Sequence, residues 1–354
     1  MENRKIRVAI THGDTNGIGY ELIFKTFAEP AMLELCTPII YGSPKVAAYH
    51  RNVLGLQANF TIISKAEDAR DGRVNMLTTF DDEVKVDMGN SSPESAKAAQ
   101  KALQRATEDF ERGVYDALVT APVDASKTGT GSEPFANEQA LRILVNEKMR
   151  IALATDNLPV KSVAQAITKD MVIAKATTLQ QALKRDFRIS NPRIAVLALN
   201  PSKAEGTEEK ECIRPAIIEL TKKSVQAFGP FPADDFFGNG DYEAFDAVLA
   251  MYHEQGTTPF RALDLGNGIQ FLAGLPIVCT STDLSAGFDI AGKGVVDENP
   301  LRQAIYAAID IARNRQNYDS PLQNPLPKLY HEKRDESEKV RFAIPKKHEN
   351  KPAE

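Results

Sequence analysis

His253 is one of five histidines in a chain of 354 residues, and its setting suits chemistry. It follows an apolar run, Ala247–Met251, and opens the polar segment His253-Glu254-Gln255-Gly256. A buried strand that delivers a polar loop at its carboxyl end is how open α/β sheets present residues to a ligand. An imidazole there can ligate a metal, transfer a proton or hydrogen-bond a substrate. Alone it cannot hold a catalytic metal, which takes about three protein ligands. A second candidate is Asp283, which closes the run Thr280-Ser281-Thr282-Asp283 and serves either as an acid that orients substrate or as a helix N-cap. A third is the loop Gly13-x3-Gly17-x-Gly19, which follows a strand and precedes a helix. That layout can offer backbone N–H groups to an anion, or it can be a tight turn that packs helix on strand. His12, Asp14 and Asn16 lie in or beside this loop; each has a ligand-contact reading and a turn or structural hydrogen-bond reading. Lys127 is read as a solvated surface residue.

The elements that must position these residues follow from the apolar pattern. Strands are expected at Ile6–Ile10, Thr37–Gly42, Phe60–Ile63, Ala117–Thr120, Arg150–Ala154, Arg193–Leu199, Ala247–Met251 and Leu272–Cys279. Helices are expected at Tyr20–Phe27, Pro44–Leu54, Pro93–Gly113, Asn137–Asn146, Val160–Ile167, Leu179–Phe187, Cys212–Phe228 and Pro300–Asn314. In Pro93–Gly113, Ala96, Ala99, Leu103, Ala106 and Phe110 form the apolar stripe, with Ser92 as cap and Pro93 in the first turn. This alternation argues an α/β fold with a mostly parallel sheet. Five strand-like runs end in polar loops, beginning at Gly13, Thr120, Thr155, Asn200 and Tyr252, and all five loops are expected on one sheet edge.

Composition narrows the function. A net charge of −5 gives no footprint for nucleic acid or an anionic membrane. No apolar run approaches the ~20 residues of a membrane span. Cys36, Cys212 and Cys279 are odd in number and far apart, so neither a disulfide framework nor a zinc knuckle is expected. The opening residues go from a charged start into a strand without a signal peptide, which fits a reducing, cytoplasmic setting.

The polar loops, in order, resemble a known family. Its blocks match Thr11–Glu21, Leu118–Val123, Asn200-Pro201, Gly229–Asp234, Tyr252–Gly256, Gly274–Pro276, Thr280–Asp283 and Phe288–Gly294. The chain resembles 4-hydroxythreonine-4-phosphate dehydrogenases of pyridoxal phosphate synthesis, as a divergent member. The resemblance implies two α/β/α domains around a cleft, related to the isocitrate and isopropylmalate dehydrogenases, in a homodimer. It places the domains at 1–125 with 280–318, and at 126–279, leaving 319–354 as a charged, partly disordered tail. It implies NAD-dependent oxidation of a secondary alcohol followed by decarboxylation, with a divalent metal held by three histidines as Lewis acid.

The chain departs from that pattern where the chemistry lies. The metal positions fall at Asn157, Ser202 and His253, so only one imidazole survives. A rebuilt set of His253 with Asp156, Asn157 or Glu205 would suit Mg²⁺ or Mn²⁺ better than Zn²⁺. Three substrate contacts, a Lys, an Asn and an Arg, fall at Arg261, Gln270 and Cys279, and a His falls at Leu284. The block that grips substrate is shortened to Phe135-Ala136-Asn137-Glu138. Three readings follow: a dehydrogenase of this type with replaced contacts, a dehydrogenase for a different hydroxy acid, or a non-catalytic relative that binds a ligand or partner.

Overall fold

The computed structural model describes residues 4–80, 84–124, 140–264 and 266–323. Twelve strands form one sheet in the order β3-β4-β2-β1-β5-β12-β11-β6-β7-β10-β8-β9. They are β1 Ile6–Thr11, β2 Cys36–Gly42, β3 Thr61–Ile63, β4 Asn75–Thr78, β5 Ala117–Thr120 and β6 Leu141–Val145. The others are β7 Arg150–Leu153, β8 Arg193–Leu197, β9 Gln226–Phe231, β10 Ala247–Ala250, β11 Ile269–Ala273 and β12 Val278–Thr282. The helices are α1 Gly19–Ala28, α2 Ala31–Leu35, α3 Pro44–Leu54, α4 Pro93–Glu111 and α5 Val160–Ala166. They continue with α6 Lys169–Arg185, α7 Arg214–Lys222, α8 Ala233–Gly238, α9 His253–Leu263 and α10 Asn299–Gln323. The α/β class expected from the sequence is the class observed.

Local chemistry accounts for the boundaries. In α4, the Ser92 hydroxyl accepts from Ser95 N, Ser95 Oγ accepts from Ser92 N, and Pro93 occupies the first turn. This reciprocal cap satisfies two N–H groups that a helix start otherwise leaves bare. The buried stripe includes Ala96, Ala99, Ala102 and Ala106, small enough to bring the helix close to the sheet, while Leu103 and Phe110 pack at its margin. In α3, Ser43 caps the start, and Gly55, in left-handed backbone, ends the helix.

Strand direction reverses in the middle of the sheet. β1, β2, β5 and β12 run parallel. β12 pairs antiparallel with β11, β11 with β6, and β6 with β7. β7, β10, β8 and β9 are then mutually parallel. Three successive reversals leave this second block running opposite to the first. The polar loops therefore do not converge on one edge as expected. Those after β1 and β5 lie at one edge, and those after β7, β8 and β10 lie at the other.

What joins the halves is the sheet face. One apolar cluster runs beneath nearly the whole width, through Ile10, Val119, Phe271, Ile143, Ala152 and Leu249. The opposite face carries two separate clusters. One includes Leu118, Leu272 and Cys279; the other includes Leu144, Ile151 and Val248. Between them the alternation of β6 and β11 puts Arg142 and Gln270 on the same face, since Arg142 pairs with Leu272 and Leu144 pairs with Gln270. These two polar side chains form a polar interruption between the two apolar clusters.

Several segments differ from expectation. Leu141–Val145 is a strand where a helix over Asn137–Asn146 is expected; residues 137–139 lie outside the described set. Leu272–Cys279 is the turn of a hairpin, with Gly274 at φ +79° between β11 and β12. Cys212–Phe228 divides into the end of a π-helical turn, Glu208–Ile213, then α7 and the start of β9. The segment after Tyr252 is the first turn of α9 rather than a loop. The last helix also continues through Asp319, which pairs with Arg185 at 2.5 Å. Lys127, Phe135-Ala136-Asn137-Glu138 and residues 324–354 lie outside the described residues.

Candidate active site

The polar interruption is a continuous row of side chains joined by hydrogen bonds and, between Arg142 and Asp156, by an ion pair. His253 Nδ1 lies 2.7 Å from Asp156 Oδ1. The other oxygen of Asp156 lies 2.7 Å from Arg142 Nε. Arg142 also donates through Nη1 to Gln270 Oε1. Gln270 Nε2 donates to Asp283 Oδ1 at 2.8 Å, which settles the orientation of its amide. Arg261 closes the row on Asp283 with two arms of its guanidinium, Nε to Oδ2 at 2.8 Å and Nη2 to Oδ1 at 3.1 Å. Six side chains from β6, β11, α9 and the ends of β7 and β12 thus act as one unit.

The segment from His253 to Gly256 is built to fix the His253 end. Gln255 crosslinks the neighbouring strands: its Oε1 accepts from Met251 N at 2.7 Å, and its Nε2 donates to Ala198 O at 2.7 Å. Thr155 Oγ1 donates to Met251 O at 2.7 Å, tying the end of β7 to that of β10. A Cβ on Gly256 would come within 2.6 Å of Leu153 Cδ2 and 3.0 Å of Ile151 Cγ2, so these buried side chains would have to shift to admit one. The ring of His253 is half-buried, and Nδ1 is committed to Asp156.

Beside the Asp283 end lies a cavity of about 650 Å³. Arg261, Gln270, Asp283, Val123 and Asp124 line it, together with the 284–289 segment. Its volume is within the ~300–1,000 Å³ of small-molecule sites. Asp124 accepts from Ser91 Oγ at 2.7 Å. The sequence candidates Arg261, Gln270 and Asp283 therefore meet in one cavity, and Leu284 joins its lining. Asp283 does not cap a helix; it holds Arg261. Cys279 stands apart, buried among Leu118, Leu272 and Ile277, and burial pushes its thiol up to about 12.

The Gly13–Gly19 loop packs rather than cradles. Four of its N–H groups are bonded within the protein: Asp14 N on Pro122 O, Asn16 N on Asp14 Oδ1, Gly17 N on Asp14 O and Ile18 N on Ala286 O. A Cβ on Gly13, Gly17 or Gly19 would meet the carbonyl oxygen of Pro122, Ala286 or His12 at 2.5 Å or less. Asp14 accepts from Asn16 N and Ser95 Oγ, and burial raises its pKa. Asn16 bonds Asn90 O and Asp87 N, fastening the 84–92 segment over the loop. His12 is fully buried and stacked on Tyr20 at 5.2 Å, and burial, with His50 nearby, lowers its pKa to about 3. None of these is placed to touch a ligand.

The donors do not fit a three-histidine metal. Asn157, Ser202 and His253 follow β7, β8 and β10, which are neighbours in the sheet, so the three positions belong to one region. Two of them offer only a neutral amide and a hydroxyl, and a transition metal prefers imidazole or thiolate. Asp156, the nearest carboxylate, is already shared between His253 and Arg142. Among the described residues no three His, Cys, Asp or Glu side chains form a metal-sized group. Glu205 instead pairs with Arg214 at 2.6 Å. The segment carrying Ser202 is held by Glu209, which accepts from Leu199 N, Asn200 N and Gly206 N at 2.8 Å each and from Asn200 Nδ2 at 3.0 Å.

Arg142 is the site residue that sequence reasoning missed. Its signal lay in the run Leu141–Val145, a short apolar strand interrupted by one Arg, read as part of a helix.

Comparison with known proteins agrees with this architecture. The chain is 47% identical to a 4-hydroxythreonine-4-phosphate dehydrogenase of Bacteroides thetaiotaomicron, over 97% of this chain and 98% of that protein. A relative of the same name from a Sulfurihydrogenibium species is 30% identical over 88% of this chain and 99% of its own length. The crystal structure of a 4-hydroxythreonine-4-phosphate dehydrogenase from Klebsiella pneumoniae superposes with a TM-score of 0.74 at 26% identity, covering 88% of this chain and 99% of that one. The family model described as pyridoxal phosphate biosynthetic protein PdxA matches residues 34–308. With the family model matching residues 34–308 and a relative matching nearly its whole length, the chain belongs to the PdxA family.

Proposed function

We propose that this protein oxidises the secondary alcohol of a small hydroxy acid, with NAD as the hydride acceptor, in the manner the names of its relatives imply. The observation that carries the reading is the polar row from His253 to Asp283, one end of which lines a cavity of small-molecule size. Within it Arg261, Gln270 and Asp283 orient the substrate through fixed donors and acceptors. His253, its Nδ1 held by Asp156, offers Nε2 to a substrate hydroxyl. Arg142 keeps Asp156 and Gln270 in place. No step passes through a three-histidine metal, because the donor set does not fit one. The buried Gly13–Gly19 loop leaves the phosphates of NAD to be held elsewhere. In this reading the cleft lies between a half made of 1–125 with 280–318 and a half made of 126–279. The protein works in the cytoplasm as a homodimer; no described helix is long and apolar enough to cross a membrane.

One observation favours a second reading, a non-catalytic ligand-binding relative: two of the three imidazole positions are Asn157 and Ser202. Saturable thermal stabilisation by NAD tests the first reading and separates it from the second.

A further inference from the structure

A second cavity, of about 500 Å³, lies away from the polar row and shares no lining residue with the first. It takes Phe24 and Phe27 from the second half of α1, Phe60 from just ahead of β3, and Arg73 and Val74 from just ahead of β4. β3 and β4 run parallel, β4 with β2, β2 with β1 and β1 with β5. This cavity therefore lies at the amino ends of that block of strands. Val123 and Asp124 of the first cavity follow β5, at the carboxyl ends. The two cavities stand at opposite edges of the sheet.

The second cavity is amphipathic. Phe24, Phe27 and Val74 are at most 8% exposed and make an apolar floor. The rings of Phe24 and Phe60 are nearly parallel, with centroids 6.1 Å apart, an array that a further flat ring can extend. Among the described residues Arg73 is the one charged residue of the lining. Its side chain is exposed and makes no ion pair among the described residues. Its turn is fixed from below by the buried Asn75. The Asn75 amide donates to Arg70 O and Arg73 O at 3.0 Å each, and its Oδ1 accepts from Arg70 N at 2.9 Å. Arg51 brings a second guanidinium to the same wall, 5.7 Å from the centre of Phe60. The acid nearest Arg73 in sequence, Asp71, accepts from the Thr37 hydroxyl. Glu29 and Glu34 adjoin lining residues in sequence but do not line the cavity. A guanidinium on a fixed turn above an aromatic floor suits an anion joined to a flat ring. The volume is within the ~300–1,000 Å³ of small-molecule sites.

We propose that this cavity is a second small-molecule site, which takes a compound with a flat aromatic ring and one anionic group. The ring lies on Phe24, Phe27 and Phe60, and the anion meets Arg73. The inference does not depend on the dehydrogenase reading.

The probe is naphthalene-2-sulfonate, titrated into the full chain by calorimetry, with neutral 2-naphthol and methanesulfonate as its two halves. The native protein should take up one sulfonate probe per chain saturably and bind the naphthol about tenfold more weakly. Methanesulfonate should give no saturable signal. Arg73→Met, at an exposed position, should lower the affinity for the probe about tenfold and leave that for the naphthol unchanged. Phe60→Leu should weaken both aromatic compounds. Arg261→Met, in the other cavity, should change neither. The absence of saturable probe binding to the native protein would overturn the inference. Undiminished probe affinity in Arg73→Met would overturn it too, as would a loss in Arg261→Met, which would put the probe on the polar row.

Discussion

Replacing Arg142 with Met removes a charge from the centre of the polar row while keeping most of the side-chain length. The Arg142 and Asp156 side chains are 18% and 22% exposed, so their pair lies between a surface ion pair and a buried one. Surface pairs contribute roughly 0–1 kcal/mol, and removing one partner of a buried pair costs about 3–5 kcal/mol. A cost of about 2 kcal/mol is appropriate for this exposure, with about 1 kcal/mol more for the lost bond to Gln270. Arg142→Met should therefore destabilise by about 3 kcal/mol, read as a lower urea midpoint at constant slope. Asp156→Asn reports the other side of the pair. The double variant should be less destabilised than the sum of the single variants by about 2 kcal/mol, since the second change removes nothing already lost. Additivity within about 0.5 kcal/mol would refute the ion pair and the coupled row with it.

Two other outcomes follow from the same geometry. Glu209→Gln turns an amide N–H₂ toward backbone donors and should cost about 3 kcal/mol at neutral pH. Burial pushes the Glu209 pKa up, but the bonds from Asn200 and Gly206 outweigh it, and the net shift is downward. A depressed carboxylate stabilises the fold above its unfolded pKa of about 4.3 and loses that contribution as the pH falls toward the lower folded value. The gap between native and variant stability in acid titrations should accordingly close below about pH 4.3, and a pH-independent gap would contradict the assignment. Asn157→His with Ser202→His restores imidazoles after β7 and β8. The native protein should show no saturable stabilisation by zinc and the double variant should show it; no gain would mean that these positions do not face His253.

Much of the fold is legible from local chemistry. Ser92-Pro93 before the alanine stripe marks the start of a helix, and the β10 run is apolar over its whole length because both faces are covered. The central strands are not legible in this way. Leu141–Val145 is short and buried, so it lacks alternation, and its apolar residues suit a helix turn equally well. The hairpin of β11 and β12 is hidden because Gly274-Leu275-Pro276 continues the apolar run through the turn.

The site divides along the same line. His253, Arg261, Gln270 and Asp283 are visible as polar residues in or beside apolar runs. Their connection is not, because it depends on Arg142 pairing with Gln270, 128 residues away, across strands whose direction the sequence does not declare. The reversal at β11 and β6 also explains why the strand ends part to opposite edges while the polar residues still meet on one face. For the Gly-rich loop, glycine spacing alone fits a cradle and a packing turn equally; the carbonyls of Pro122 and Ala286 decide it.

The central claim is that this cleft is still that of an NAD-dependent oxidoreductase, although the three-histidine set is gone. Thermal unfolding with increasing NAD tests it most directly. Saturable stabilisation, reaching about 2.7 kcal/mol at a hundredfold excess over the dissociation constant and persisting in a chelator, is the result expected. No stabilisation at any NAD concentration would contradict the claim and leave the non-catalytic reading in its place.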